Sequence, residues 1–195
     1  MTALRPMLYL ASKSPRRRQL LEQLGARFVV LDVDVPEVRS AHEPPLDYVS
    51  RVAREKAGAG LLALGSAAGA VVLGADTEVV LDGEVYGKPA DAAEAAAMLR
   101  RLSGRVHEAV SVVWLVGAGR EEHAVSVSQV HFADLDEASI DAYVASGEPY
   151  GRAGAYAIQG RAGAFVRHLA GSYSGVMGLP LYETAGLLRR FGLLA

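Results

Sequence analysis

Val71-Val72-Leu73-Gly74-Ala75-Asp76-Thr77-Glu78-Val79-Val80-Leu81-Asp82-Gly83-Glu84-Val85-Tyr86-Gly87-Lys88-Pro89 is the run around which the rest of the chain is organised. Its apolar, β-branched opening predicts a strand. Val79 to Leu81 is a second β-type run, and Asp82-Gly83 is a hairpin signal with a lysine just beyond. Asp76 stands in mid-run. A carboxylate buried in an apolar sheet is costly unless a cation or hydrogen bonds meet it. Two readings stand side by side: Asp76 belongs to a functional site, or it caps a turn after Gly74.

Working outward, the chain has 195 residues, 51% of them hydrophobic. That suffices for one domain, or for two lobes around a cleft. The net charge of −2 comes from interspersed acids and bases, which argues against coating a nucleic acid. The absence of cysteine excludes disulfides and thiolate chemistry, and fits a reducing, cytoplasmic setting. No apolar run is long enough to span a membrane, and Met1 to Pro6 lacks the core of a signal peptide.

Upstream, Met7 to Ala11 predicts a first strand. Ser12-Lys13-Ser14-Pro15-Arg16-Arg17-Arg18 then opens a helix, with Ser14 as N-cap and Pro15 at the first helical position. Leu20, Leu21 and Leu24 form its buried stripe, and Gly25 ends it. A helix N-terminus favours anions, so the cations Lys13, Arg16 and Arg17 gathered there point to a phosphate ligand. A solvated basic face is the competing reading. Phe28 to Val33 predicts a second strand. Asp32, Asp34 and Glu37 follow it, either as an acidic loop or as ligands of a hard divalent cation. A helix is expected from Leu46 to about Leu64, with Leu46, Val49, Ala53, Ala57 and Leu61 inward.

Downstream, Asp91 caps an alanine-rich helix that stops near Gly104. Ala109 to Val116 and Ala124 to Phe132 predict a hairpin. His107 reads as a structural hydrogen-bonding residue in preference to a base, and Trp114 as core. Asp136 caps a helix from Glu137 to Ala145. The glycine-dense stretch Gly147 to Gly160 implies tight turns or backbone close to a ligand. A strand over Ala164 to Leu169, a polar loop over Gly171 to Gly175 and a final helix from Gly178 to about Gly192 complete the chain. The alternation predicts a mixed α/β fold with a central twisted sheet. Neither GxxxxGK[ST] nor GxGxxG is present, so a P-loop or dinucleotide fold has no support.

Six blocks in order resemble the Maf family: Ser12-Lys13-Ser14-Pro15-Arg16-Arg17, Arg54-Glu55-Lys56-Ala57, Gly74-Ala75-Asp76-Thr77, Gly87-Lys88-Pro89, Leu102-Ser103-Gly104-Arg105-Val106-His107 and Gly178-Leu179-Pro180. The resemblance implies an elongated mixed sheet flanked by helices, with two lobes around a deep cleft, similar to inosine triphosphatase-like folds. It implies hydrolysis of a nucleoside triphosphate between the α and β phosphates. Ala153-Gly154-Ala155-Tyr156-Ala157-Ile158-Gln159-Gly160 resembles the subgroup acting on dTTP and UTP. Asp76 matches the proton acceptor. Arg16, Thr77 and Gln159 match positions of substrate choice, and Ser12, Arg17, Lys56 and Lys88 line the phosphate site. A divalent cation (Mg, Mn or Co) is implied, with Asp76 as ligand and Asp34 or Glu37 beside it. The resemblance is compatible with a homodimer, and with a second class of role: a nucleotide-sensing inhibitor of septum formation acting through a protein partner.

Three departures from the family pattern bear on the site. Val35 stands where an acid is usual after the second strand. Gly151-Arg152 replaces an Asp-Lys pair. Glu78 follows Thr77 in place of an apolar residue and is a candidate for the missing carboxylate.

Overall fold

The computed structural model describes residues 6–65, 67–117 and 119–194. Seven strands form one mixed sheet: β1 (Met7–Ala11), β2 (Phe28–Leu31), β3 (Ala70–Leu81), β4 (Glu84–Tyr86), β5 (Val106–Gly117), β6 (Arg120–Phe132) and β7 (Val166–Ala170). The order is β2-β1-β3-β5-β6-β7, with β4 on β3. Six α-helices surround it: α1 (Pro15–Gln23), α2 (Pro45–Ala63), α3 (Ala92–Leu102), α4 (Glu137–Ala145), α5 (Tyr173–Met177) and α6 (Leu181–Arg190).

β3 is continuous through Asp76, so the turn reading of that residue fails. Its length follows from an apolar run that continues on both sides of the acid. The predicted hairpin forms at Asp82-Gly83, where both residues have positive φ (53° and 78°), as a two-residue turn matched to the sheet twist requires. One edge of β3 pairs with β5 from Val71 to Val80. The other edge pairs with parallel β1 only from Ala70 to Leu73, and with antiparallel β4 only from Val79 to Leu81. Among the described residues, 74–78 therefore carry no strand on that edge. β1 ends at the near side of this gap, so the Ser12–Arg17 turn falls beside it, as ligand sites do where strands diverge.

The gap also divides the core. On one face of β3, Val71, Leu73 and Ala75 pack with Leu20 and Leu21 of α1 and Leu187 and Leu188 of α6. Farther along the same face, Val79 and Leu81 pack with Leu99 and Leu102 of α3 and Ile140 and Tyr143 of α4. Thr77 lies between these two clusters along the strand. The opposite face lies under α2, through Val52, Ala53 and Ala57. Gly74 permits that approach: a Cβ there would meet the Ala53 carbonyl at 2.2 Å and the Ala57 amide nitrogen at 2.6 Å.

Four expectations need correction. β2 stops at Leu31, opposite Ala11, where its partner strand β1 ends. The buried face of α2 is Tyr48, Val49, Val52, Ala53, Lys56, Ala57 and Gly60; Leu46 is exposed and Leu61 only half-buried. Trp114 is half-buried, not core: its ring stacks on His123 and its indole N–H donates to Ser50 Oγ at 3.1 Å. The polar loop at Gly171–Gly175 gives way to α5, capped by Ser172, whose hydroxyl accepts from the Gly175 amide at 3.0 Å.

Candidate active site

A cavity of about 550 Å³ opens at the gap in β3. The N-terminus of α1 forms one wall. Ser14 caps it by accepting from the Arg17 amide at 3.4 Å, and Ser12 Oγ accepts from the Ser14 amide at 3.2 Å. Arg17 donates from Nε to the Gly178 carbonyl at 2.9 Å, and Arg16 donates to the Met177 carbonyl at 3.3 Å. The C-terminal end of α5 and its cap residue Gly178 thus fix both guanidinium groups from behind. Arg152 faces them. Burial, then Arg152 and Arg17, lowers the Arg16 pKa to about 10. Three guanidinium groups held this close constitute a site for an anion.

β3 forms the floor. Alternation sends Asp76 and Glu78 to the α2 side and Thr77 to the other. The tight packing over Gly74 brings Lys56 down from α2 onto Asp76, Nζ to Oδ1 at 2.8 Å. Lys56 also meets Glu37 Oε1 at 2.6 Å, and Lys88 meets Glu37 Oε2 at 2.6 Å. Arg17 adds a long ion pair to Asp76 at 3.9 Å. Burial pushes the Glu37 carboxyl up, but hydrogen bonds and charge from Lys56 and Lys88 outweigh it and hold it at about 2. Asp76 Oδ2 and Glu78 Oε2 are buried without a hydrogen-bond partner among the described residues.

Thr77 Oγ1 shares a hydrogen bond with Ser111 Oγ at 2.7 Å, and Ser111 donates to the Gly175 carbonyl at 2.7 Å. Gln159 lies at the exposed rim. Tyr156 lines the same side, and its hydroxyl meets His107 Nε2 at 2.9 Å. His107 is buried and structural, as expected.

The ten residues that the family resemblance assigns to the site all line this one cavity: Ser12, Arg16, Arg17, Asp34, Glu37, Lys56, Asp76, Thr77, Lys88 and Gln159; Asp32, the other acid read as a cation ligand, does not line it and pairs with Lys13 at 3.2 Å. Their states differ. Asp34 is exposed and pairs with Lys13 at 3.7 Å. Glu37 is occupied by two lysines. Lys56 and Lys88, expected to meet phosphate, hold Glu37 here. Among the described residues, no group of three or more His, Asp or Glu is placed to enclose a metal ion. Sequence reasoning did not assign Arg152 to the site. Its signal was the Gly151-Arg152 pair that stands in place of an Asp-Lys pair and keeps the positive charge.

A model of the Maf-like protein family matches residues 7–191. A dTTP/UTP pyrophosphatase of Xanthomonas euvesicatoria pv. vesicatoria (strain 85-10) is 60% identical over 188 residues, covering 95% of this chain and 99% of the relative. A nucleoside triphosphate pyrophosphatase of Xylella fastidiosa (strain M23) is 59% identical over 186 residues, covering 95% and 98%. Among solved structures, the Staphylococcus aureus Ham1 protein is similar with a TM-score of 0.49 and 16% identity, covering 95% of this chain and 97% of that one.

Proposed function

This chain belongs to the Maf-like protein family, and on that premise we propose that it is a nucleoside triphosphate pyrophosphatase hydrolysing dTTP and UTP to the monophosphate and pyrophosphate. The observation that carries the reading is Asp76: a buried carboxylate at the unpaired edge of β3, one oxygen on Lys56 and the other without a partner, in a cavity shared with three arginines.

In the reaction a water oxygen bonds to the α-phosphorus, and the bond from that phosphorus to the bridging oxygen breaks. Pyrophosphate leaves with the bridging oxygen. Asp76 orients the water and takes its proton. Lys56 holds the carboxylate in position. Arg16, Arg17 and the α1 N-terminus meet the negative phosphoryl oxygens, with Ser12 donating its hydroxyl proton. Lys56 and Lys88 carry Glu37 in this structure, so an incoming triphosphate competes with Glu37 for them.

The donors in the cleft are hard oxygens, and Asp76 Oδ2 is a buried atom that a divalent cation would satisfy. The residues fit Mg²⁺, Mn²⁺ or Co²⁺ there. Such an ion, when bound, supplies positive charge against the triphosphate. Gln159 offers both an amide donor and an acceptor to the carbonyl and N–H edge of a pyrimidine, while Thr77 and Arg16 line the same cavity. Among the described residues no helix is long and apolar enough to cross a membrane, and the proposed setting is the cytoplasm, where such substrates are made.

The test is pyrophosphate release from a panel of canonical and modified triphosphates with magnesium or manganese. Fastest turnover of dTTP and UTP is expected. A folded protein that turns over none of them refutes the reading.

A further inference from the structure

Asp76 and Glu78 leave the same face of β3, two residues apart. Their Cα atoms are therefore about 7 Å apart, a span that an aspartate and a glutamate arm can close on one ion. They are 4% and 5% exposed. One oxygen of each is shut from solvent and has no partner among the described residues, and both residues line the cavity. The neighbouring ammonium groups are committed elsewhere: Lys56 bridges Asp76 Oδ1 and Glu37, and Lys88 bonds Glu37.

Burying one unpartnered carboxylate oxygen is costly; burying two on one face of a strand compounds the cost. A cation between them removes it. Mg²⁺ and Mn²⁺ suit such a pair, because Mg²⁺ is commonly held by one or two carboxylates, with waters and substrate phosphates filling the remaining positions. A cage of three protein ligands is not required.

We propose that Glu78 is a direct ligand of the divalent cation, sharing it with Asp76 and taking the place that Val35 leaves without an acid. Asp34 does not compete for the role, since its exposed carboxylate pairs with Lys13 at the rim. The inference rests on the pyrophosphatase reading only for what the ion does in the reaction, not for the ion's binding.

The experiment is a titration of the full-length protein with Mn²⁺ alone, following free Mn²⁺ by electron paramagnetic resonance. It is repeated with the non-hydrolysable α,β-methylene analogue of UTP. Glu78→Gln and Glu78→Val are expected to weaken Mn²⁺ binding about tenfold or more, while Asp34→Asn leaves it unchanged. Without metal, both Glu78 variants should unfold at or above the wild-type temperature, which separates a lost ligand from a lost fold. Mn²⁺ should raise the wild-type unfolding temperature by several degrees but not that of the variants. Wild-type Mn²⁺ affinity in both Glu78 variants overturns the proposal, as does a wild type that binds no Mn²⁺ under either condition. Failure of the pyrophosphatase reading would look different: no pyrophosphate from any triphosphate, whatever the Mn²⁺ affinity.

Discussion

Lys56 Nζ lies 2.8 Å from Asp76 Oδ1, across the closest approach of α2 to β3. The pair is nearly closed to solvent, with side chains 11% and 6% exposed. Asp76→Asn preserves the shape but removes the proton acceptor. Pyrophosphate release should fall about 10³-fold, with an unchanged far-ultraviolet circular dichroism spectrum. Full activity in that variant would remove Asp76 from its role. Lys56→Met acts differently, because it strands the buried Asp76 carboxylate. Urea unfolding should then show a loss of about 3 kcal/mol.

Gly74 determines whether that pair can form. A methyl group there would press on the Ala53 carbonyl and the Ala57 amide, which are backbone atoms and cannot rotate away. Gly74→Ala should push α2 off the sheet and carry Lys56 with it. Expected effects are a stability loss of about 1–3 kcal/mol and a drop in kcat larger than any change in KM. A variant that unfolds like wild type and turns over normally would show that the close contact does not position Lys56.

His107 sets a pH dependence of stability. Burial, with a contribution from His131, lowers its pKa from 6.5 to about 4. The folded chain keeps the ring neutral, while the unfolded chain takes up a proton below about pH 6.5. The stabilisation is thus fully present above that pH and declines as pH falls toward about 4, with a limiting slope of about 1.4 kcal/mol per pH unit. His107→Asn lacks this slope, although it loses the bond to Tyr156. Urea denaturation at several pH values should show the gap between wild type and variant narrowing from pH 7.5 to pH 5. Parallel curves would exclude His107 as the source.

Local pattern made much of the framework legible. The β-branched run of β3, the Asp82-Gly83 turn and the Ser14-Pro15 start of α1 each follow from short-range chemistry, and the structure keeps all three. What escaped depends on contacts distant in sequence. Periodicity placed Leu46 on the inner face of α2, but packing over Gly74 rotated Lys56 there instead. Glu37 reads as one acid among several in a loop, yet Lys56 and Lys88 draw it into the cleft from two separate elements. Thr77 adjoins Asp76 in the chain and faces the other side of the strand, toward Ser111. The acidic segment and the glycine-dense stretch carry little periodicity, so their placement comes from the walls they close.

Gln159 tests how the cavity distinguishes bases. It lines the cavity as an exposed residue, whereas Asp76 is buried and held by Lys56, so a change there should alter nucleotide choice without disturbing Asp76. An amide presents a donor and an acceptor together, and a carboxylate only acceptors. Gln159→Glu should therefore lose kcat/KM for UTP and dTTP by about 100-fold, by leaving a base carbonyl facing an anion. CTP offers an exocyclic amine at the position where UTP has a carbonyl, so its kcat/KM should fall less. The measurement is kcat/KM for UTP, dTTP and CTP in both proteins. An equal loss on all three would mean that Gln159 supports the cavity wall without reading the base.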